Sequence, residues 1–442
     1  MSGVSEDLLQ AALAAGALEA EVFWKRGRGR RVALEPGLQP GSAPVLTVST
    51  TEEEGTAIRV VDRQGRHGFA WIGLPGGESA GASLLEAAWA SARHDPEGGA
   101  ARPPLGPGPR TIVEGKDLRI DDPECMALPP ERIAALLLEA AAEAGEGGGA
   151  VAVDHLALSE VETTISLANS RGFRGSYTKS LVFLSLALVP AEPGAAAVVE
   201  ERSACRLADL DLRGCIRDAL LRAGPSRPGQ APDASEAVPL LLTPRAAASF
   251  LAAIAPWALS GEAGIWKGSS LLIVDDATLA GRPGTTPFDG VGYETRRTVL
   301  VQDGASVGRL SAEGGNLVRP SYRDLPRLEP AGLLILPAGG LHGGLISDES
   351  LALSVHVVEV VPGPTWSLRI RRGEFLRGGV AMGPADGLLW EGPLASLLRG
   401  VSVVGGEVGF YHCGVPVGAP GLRIDGLRPL RAESPGRSAQ RV

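Results

Sequence analysis

The chain is poor in the residues that hold metals and disulfides. Among its 442 residues there are six histidines and four cysteines. The cysteines (Cys125, Cys205, Cys215 and Cys413) form no C-x-x-C pair, and no two histidines have the H-E-x-x-H spacing of a zinc helix. These absences exclude a zinc finger, a disulfide scaffold and a zincin-type centre, and they fit a reducing cytoplasm.

Long apolar runs and clusters of positive charge are also absent. The formal net charge is -9, and the densest basic run, Lys25–Arg31, is too short to hold a nucleic-acid backbone. We interpret that run as a solvated surface loop. No window reaches the ~18 uncharged apolar residues of a membrane span, and the acidic N-terminus lacks the basic region of a signal peptide. The sequence therefore predicts a cytoplasmic protein that binds neither nucleic acid nor membrane.

What the chain does have is enough apolar residue content for a large core, at 44%, and many turn residues, with 60 glycines and 34 prolines. One polar, Pro/Gly-rich stretch without apolar periodicity, 223–236, has the composition of a linker. We predict an N-terminal domain over 1–222, a C-terminal domain over 237–430 and a disordered tail over 431–442. The expected class is α+β, with helices on a mixed sheet in the first domain and mainly antiparallel β structure in the second.

Local signals place several elements. Apolar spacing predicts a helix from Ser5 to about Glu19, and a capping box at Ser83 predicts a helix that starts near Leu84. A further helix should run from Pro130 to Gly145. Alternating residues on both sides of Asn169–Gly172 predict a hairpin, because Asn and Gly tolerate positive φ. In the second half, Thr243 should cap a helix whose first residue is Pro244.

Other motifs favour ordinary structural interpretations. Gly77–Gly81 reads G-E-S-A-G, as in a nucleophile elbow, but a helix start near Leu84 would leave Ser79 outside the strand-to-helix turn. Asp275, Asp276 and Asp289 could hold a hard cation or serve acid–base chemistry, although Asx turns explain them equally well. His356 fits one face of a strand. His412 and Cys413 are adjacent, so on a strand they would point to opposite faces.

The order of several segments resembles the TldD/PmbA family, whose members are described as modulators of DNA gyrase or, for TldD, as metallopeptidases. The segments that carry this resemblance are GALEAEVF, GTAIRVVDRQGRHGFAW, LANSRGFRGSYTKSLVF, LLLTPRAAASFLAAIAPWALSGEAGIWKGSSLL, DDATLAGRPGTTPFDGVGYETRRTVLVQDG and VPVGAPGLRIDGL. They are spread along the sequence, so that the resemblance extends over nearly the whole chain. The region after Gly304 is shorter and more divergent than in the family, and it keeps GGNLVR.

The resemblance implies that the metal ligands of the TldD kind are missing. Where the TldD kind has His-Glu at the start of its H-E-x-x-x-H helix, this chain has Ser260 and Gly261, and the family's cysteine ligand falls on Val408. None of these three side chains can replace an imidazole or a thiolate on zinc. Glu262 would then be a polar residue at a helix end rather than a general base, and no cofactor is expected.

By resemblance the chain is similar to the PmbA (TldE) kind, which pairs with a TldD-like metallopeptidase subunit. The implied role is to complete the cavity around the partner's zinc site and to help admit unfolded or modified peptides. Candidate residues of the peptide cleft are Asn169, Arg171, Glu262, Asp289 and Asn316. Two alternatives remain: a self-associating, homodimeric peptide-binding protein without a catalytic partner, and a metal-independent hydrolase that uses Ser79 or Cys413.

Overall fold

A computed structural model describes residues 3–35, 44–73, 78–95, 105–106, 118–145, 151–190, 197–223, 237–336, 351–363, 365–385 and 387–428. Nearly all of the predicted linker (224–236) and the whole predicted tail (431–442) lie outside these ranges. The helices are α1 Gly3–Ala14, α2 Glu78–Arg93, α3 Pro130–Gly145, α4 Leu212–Ala223, α5 Pro244–Ser260 and α6 Leu394–Arg399. The strands are β1 Glu19–Glu35, β2 Val45–Val61, β3 His67–Gly73, β4 Val151–Asn169, β5 Arg174–Pro190, β6 Val198–Ala204, β7 Leu240–Leu242, β8 Leu272–Asp276, β9 Arg297–Gln302, β10 Ala305–Ser306, β11 Leu317–Val318, β12 Arg327–Leu328, β13 Leu333–Leu336, β14 Leu351–Val361, β15 Trp366–Arg377, β16 Val380–Pro384, β17 Leu389–Gly392, β18 Val401–His412 and β19 Pro416–Ile424.

The first half of the chain forms a six-stranded sheet in the order β3-β2-β1-β4-β5-β6. Every neighbouring pair in it is antiparallel. The turn between β4 and β5 is the predicted one: Gly172 has φ 94°, and the amide of Asn169 bonds the carbonyl of Phe173. Strand alternation places Val22, Ile58 and Leu184 on one face of the sheet, which the helices cover, and Phe23, Thr163 and Lys179 on the other, which faces loops of the second half.

Four helices cover the apolar parts of this sheet. Helices α1 and α2 pack with β1 and β2 around Leu9, Val22 and Ile58. Helices α3 and α4 pack on β4 and β5 around Ile133 and Leu184. The prediction of α3 is confirmed at both ends, whereas α1 ends earlier and α2 begins earlier than the sequence indicated. Ser83 therefore lies inside α2 and does not cap it.

The second half is built around a larger sheet and α5. Its main strand order is β10-β9-β8-β13-β19-β7-β14-β15-β16, with β17 on β15 and β18 on β19. Two pairs are parallel, β13 with β19 and β7 with β14, and the other described pairs are antiparallel. Helix α5 lies in the centre of the core, where Phe250, Leu251 and Ile254 are fully buried. Thr243 holds the N-cap position of α5, but its side chain makes no capping hydrogen bond.

The predicted α+β class is confirmed, with one exchange of detail. The first sheet is antiparallel and not mixed; the parallel pairs belong to the second sheet. The two sheets lie on either side of the predicted linker. Since the linker itself falls outside the described residues, the division into domains at 222/223 and 236/237 stays a prediction.

The interpretation of Lys25–Arg31 as a loop is wrong, because the run lies in the middle of β1. Acidic residues on both neighbouring strands make this possible: Arg28 lies opposite Glu52 of β2 and Glu162 of β4. The Arg28 guanidinium bonds Glu162 at 2.9 and 3.1 Å, and Arg30 pairs with Glu160. Opposite charges on adjacent strands stabilise a sheet, so a basic strand forms here without an apolar face.

Candidate functional site

A cleft of about 590 Å³ lies between the first sheet and loops of the second half. Its floor is the middle of β1, β4 and β5. Its other walls come from Pro283–Gly290, Gly315–Pro320, Arg327–Ala331 and His412–Pro416. Pockets of this size at the junction of two structural units are the usual places for ligand binding, and we take this cleft as the candidate site.

The floor of the cleft consists of three side-chain pairs on β4 and β5. The register places Val161 opposite Leu181, Thr163 opposite Lys179 and Ile165 opposite Tyr177. Alternate residues of a strand share a face, so all six side chains face the second half. A polar pair is thus held between two apolar pairs.

The loop that ends in Asp289 forms the opposite wall. The Oδ1 atom of Asp289 accepts hydrogen bonds from the amides of Val291, Gly292 and Tyr293 at 2.9–3.0 Å, and its Oδ2 atom accepts one from the amide of Leu317 at 3.2 Å. The carboxylate therefore orders its own loop and joins it to β11. This geometry matches the Asx-turn interpretation of Asp289, because its lone pairs are directed at backbone amides.

Asn316 and Asp275 form a second buried contact behind this wall. The Nδ2 of Asn316 donates to Asp275 Oδ2 at 3.2 Å, while Asp275 Oδ1 accepts from the amide of Gly332 at 2.8 Å. Burial raises the pKa of Asp275 to about 6 and that of Asp289 to about 6, against the hydrogen bonds that favour their ionised forms. Asn316 lines the cleft and is 2% exposed, and its Oδ1 has no partner among the described residues.

Lys179 is the cation at the centre of the floor. Its ammonium donates hydrogen bonds to the carbonyl oxygens of Pro283 and, at 3.0 Å, Thr285. Within the described part of the chain it forms no ion pair with a carboxylate, and burial lowers the pKa of its ammonium group. A charged group in this setting is held by dipoles alone.

A second buried cation, Arg319, joins the two halves at the edge of the cleft. Its Nη1 donates to Glu21 Oε1 at 2.9 Å, and Arg59 donates to the other oxygen of Glu21 at 3.0 Å. All three side chains are buried. Phe23 lies 4.1 Å below the guanidinium, as in a cation–π contact. Burial lowers the pKa of Arg319 to about 10, although Glu21 opposes the shift.

Next to this ion cluster, Tyr322 packs against β2 and β3. Its ring lies over Gly55, where a Cβ atom would come within 2.3 Å of it, and meets Trp71 edge to face at 5.9 Å between centroids. Gly55 is thus required by close packing, because any side chain would collide with the ring. Asn316, Leu317 and Arg319 all belong to GGNLVR, the part of the region after Gly304 that resembles the family.

The structure brings together two of the five candidate cleft residues, Asp289 and Asn316. Asn169 and Arg171 do not line the cleft: the buried Asn169 bonds the amides of Arg171 and Phe173, and Arg171 pairs with Glu19 at 2.6 Å. Glu262 is exposed just after α5. Whether any of them contacts a peptide stays a prediction.

The positions where metal ligands were expected have ordinary surroundings. Ser260 is the last residue of α5 and bonds the carbonyl of Trp257, and Gly261 caps the helix with φ 76°. A six-residue helical motif that began at Ser260 would extend past the helix to Ile265. Val408 lies in a bulge of β18, between the paired residues Gly405 and Gly409.

The side chains present do not fit a zinc ion. Helix α5 contains no His, Cys, Asp or Glu from Pro244 to Ser260, whichever register is chosen for the family's helical motif. Across the described ranges, no three such residues lie together in a geometry that could hold a metal. Zinc in proteins needs three or four of these ligands, so we derive no chemical step through a metal in this chain.

The remaining candidates are also placed apart from the cleft floor. His356 lies on β14 with its Nε2 at 3.6 Å from Glu374. The thiol of Cys413 accepts a hydrogen bond from Arg245 at 2.8 Å. Ser79 is in the first turn of α2, and its side chain lies outside the described residues. The helix starts before Leu84, so the late start that argued against a nucleophile elbow at Ser79 does not apply.

Sequence reasoning missed two residues that line the cleft, Lys179 and Arg319, and two that pack beside it, Glu21 and Tyr322. Lys179 has a weak signal, since Tyr177 and Leu181 on the same strand face are apolar and suggest that this face is covered. Glu21 and Arg319 have none, because they meet across 298 residues of sequence.

In the part of the chain that the structure describes, no helix is long and apolar enough to cross a membrane.

Family models and solved structures agree on the family to which this chain is similar. A search of curated proteins finds no match. Residues 124–224 match the central domain of the PmbA/TldA metallopeptidases, and residues 235–429 match their C-terminal domain.

Solved structures share the fold over almost the whole length. TldE from Thermococcus kodakarensis is 18% identical, with a TM-score of 0.77 over 97% of this chain and 100% of its own. A proposed modulator of a DNA gyrase from Thermotoga maritima is 15% identical, with a TM-score of 0.74 over 97% of this chain and 99% of its own. Another proposed modulator of DNA gyrase, from Bacteroides thetaiotaomicron, is 17% identical, with a TM-score of 0.74 over 96% of this chain and 98% of its own. By these matches, the chain belongs to the TldD/PmbA family.

Proposed function

We propose that this chain is a non-catalytic, TldE-like subunit of a cytoplasmic TldD/TldE-type metallopeptidase complex that acts on unfolded or modified peptides. The family models that match the chain are those of metallopeptidases, and one of the similar structures is a TldE. The cleft offers a long, mainly apolar floor with a few polar groups, which suits an extended peptide segment. In this proposal the partner subunit provides the metal and the activated water.

The observation that carries the proposal is the composition of α5. A helix that could hold a catalytic metal needs imidazole or carboxylate side chains, whereas α5 of this chain contains only Pro, Arg, Ala, Ser, Phe, Leu, Ile and Trp. Most of these side chains are buried in the core around Phe250 and Ile254. Their work is packing, and the peptidase chemistry would need a second polypeptide.

Co-expression with a TldD-like chain tests the proposal. We expect the two chains to elute together in size-exclusion chromatography, and we expect peptide cleavage only when both are present. A chelator should stop that cleavage. If the isolated chain cleaves the same peptide and a chelator stops it, the chain holds a catalytic metal itself and the proposal is wrong.

The same chromatography separates the alternative function. A homodimeric peptide-binding protein would elute at twice the chain mass and would ignore every TldD-like chain offered to it. The exposed residues Val45, Leu46 and Val48 on the free end of β2 are 43–47% exposed and suit contact with another polypeptide. They favour association without choosing between a second copy and a TldD-like partner.

A further inference from the structure

The cleft contains one lysine, Lys179, that no carboxylate of the described residues neutralises. The lysine and arginine side chains that line it are Lys25, Lys179, Arg319 and Arg327, and His412 lies at its edge. Lys25 pairs with Glu53 at 2.6 Å, Arg327 pairs with Glu329 at 2.6 Å, and Arg319 shares Glu21 with Arg59. Among the described residues Lys179 has only the carbonyls of Pro283 and Thr285.

Glu329 and Asp289 both line the cleft, and neither pairs with Lys179; Glu329 bonds Arg327 instead. Four backbone amides already bind the two oxygens of Asp289. An ammonium group has three N–H donors, and two of those of Lys179 are accounted for. One donor therefore remains for a group inside the cleft.

The neighbours of Lys179 define what that group can be attached to. On the same floor, the pair Val161 and Leu181 lies on one side of the lysine and the pair Ile165 and Tyr177 on the other. An occupant must bring an anionic oxygen to the centre and apolar groups to both sides. A carboxylate is the anion that peptides carry, and its hydrogen bond to an ammonium group is charge-assisted and strong when water is excluded.

We propose that the cleft binds a peptide carboxylate, with Lys179 as the residue that recognises it. This inference rests on the proposed function of the cleft as a peptide site, and it adds the chemical class of the bound group. The carboxylate can be the C-terminus of a peptide or the side chain of Asp or Glu. Both present the same planar pair of oxygens to the ammonium group.

Four fluorescent pentapeptides of one apolar composition separate these sources. The first ends in a free carboxylate, the second in a carboxamide, the third is a carboxamide with a central glutamate, and the fourth carries glutamine there. Binding to the complete chain is followed by fluorescence anisotropy. We expect the first or the third peptide to bind at least about tenfold more tightly than its neutral counterpart.

Substitution of the lysine identifies the group responsible. In Lys179→Met the carboxylate and neutral peptides should bind equally, at the affinity of the neutral one. In Lys179→Arg the preference should be retained in part. Lys267→Met is the control, because that lysine is exposed and does not line the cleft, and it should keep the full preference. Thermal melts show which variants are folded.

Equal binding of all four peptides by the unaltered chain overturns the inference whatever the variants do, and so does a preference that survives in folded Lys179→Met. Equal binding leaves the proposed function standing, since peptides still occupy the cleft. That function fails on a different result, the absence of co-elution with a TldD-like chain and of cleavage by the mixture.

Discussion

The junction of the two halves and the floor of the cleft each hold a buried cation, and the two differ in what neutralises it. At the junction, Arg319 lies against Glu21, which also binds Arg59. On the floor, Lys179 contacts two carbonyl oxygens and, among the described residues, no carboxylate. Burying a charge is costly unless it is paired. The first cation is therefore explained by its contacts within the folded chain, whereas the second is the one that we propose binds a ligand.

This difference separates positioning from binding. Glu21, Arg59 and Arg319 fix the loop Asn316–Pro320 against the first sheet, and Tyr322 packs beside them over Gly55. Substitution of these residues should lower the free energy of unfolding. Substitution of Lys179 should chiefly reduce the difference in affinity between carboxylate and neutral peptides.

The largest effect is expected for Glu21→Gln. The substitution removes the charge of the buried carboxylate that both Arg59 and Arg319 bind, so the free energy of unfolding should fall by about 3 kcal/mol or more. Urea denaturation measures it. The control is Glu162→Gln, whose partner Arg28 is 56% exposed; it should change stability by less than about 1 kcal/mol. Equal losses in the two variants would contradict the special role of the junction.

A smaller loss is expected for Gly55→Ala. The added methyl group would meet the Tyr322 ring at 2.3 Å, and such overpacking costs about 1–3 kcal/mol. Differential scanning calorimetry measures it. Gly81→Ala is the control. Gly81 lies inside α2, and the nearest atom to its added methyl group would belong to Leu8 of α1, 3.9 Å away, so the alanine should be neutral or stabilising. An unchanged melting temperature in Gly55→Ala would show that Tyr322 does not press on β2.

The pH dependence of stability should show the buried acid behind the cleft wall. Burial raises the pKa of Asp275 from 3.8 to about 6. The folded state thus holds a proton that the unfolded state releases, and the resulting stability is present below about pH 4 and lost as the pH rises through about 6. Relative to Asp275→Asn, the wild-type chain should lose on the order of 1–3 kcal/mol between pH 4 and pH 7. Urea titrations at several pH values measure the difference. A constant difference would mean that Asp275 does not titrate in this range.

The smallest effect is expected along the charged middle of β1. Arg28→Gln removes an exposed pair with Glu162, and its cost should be below about 1 kcal/mol and should shrink further in 1 M salt. Denaturation at two salt concentrations tests it. A loss as large as that of Glu21→Gln would mean that the ion pairs of the open sheet stabilise the fold as strongly as the buried cluster.

How much the sequence could predict depended on the distance between the interacting residues. Helix α3 and the turn at Asn169 follow from neighbouring residues, and both are confirmed. The strand through Lys25–Arg31 was missed because its charges are neutralised by acidic residues of two other strands, Glu52 and Glu53 on β2 and Glu160 and Glu162 on β4. Basic residues without apolar alternation resemble a loop when their partners are unknown.

The candidate site was predictable only in its wall. Asp289 and Asn316 stand in Gly-rich loops whose composition attracts attention, and both line the cleft. Lys179 occupies an ordinary polar position in an alternating strand, and the loop Pro283–Thr285 of the second half covers it. Covering by a distant segment leaves no local pattern, so the cation at the centre of the floor had to be seen in three dimensions.

The central claim is that this chain does not itself carry a catalytic metal, and metal analysis of the pure polypeptide tests it most directly. The chain is incubated with zinc, freed of unbound ion and examined by inductively coupled plasma mass spectrometry, with peptide cleavage measured on the same sample. We expect far less than one metal ion per chain and no cleavage. One zinc ion per chain, together with cleavage that a chelator abolishes, would contradict the account.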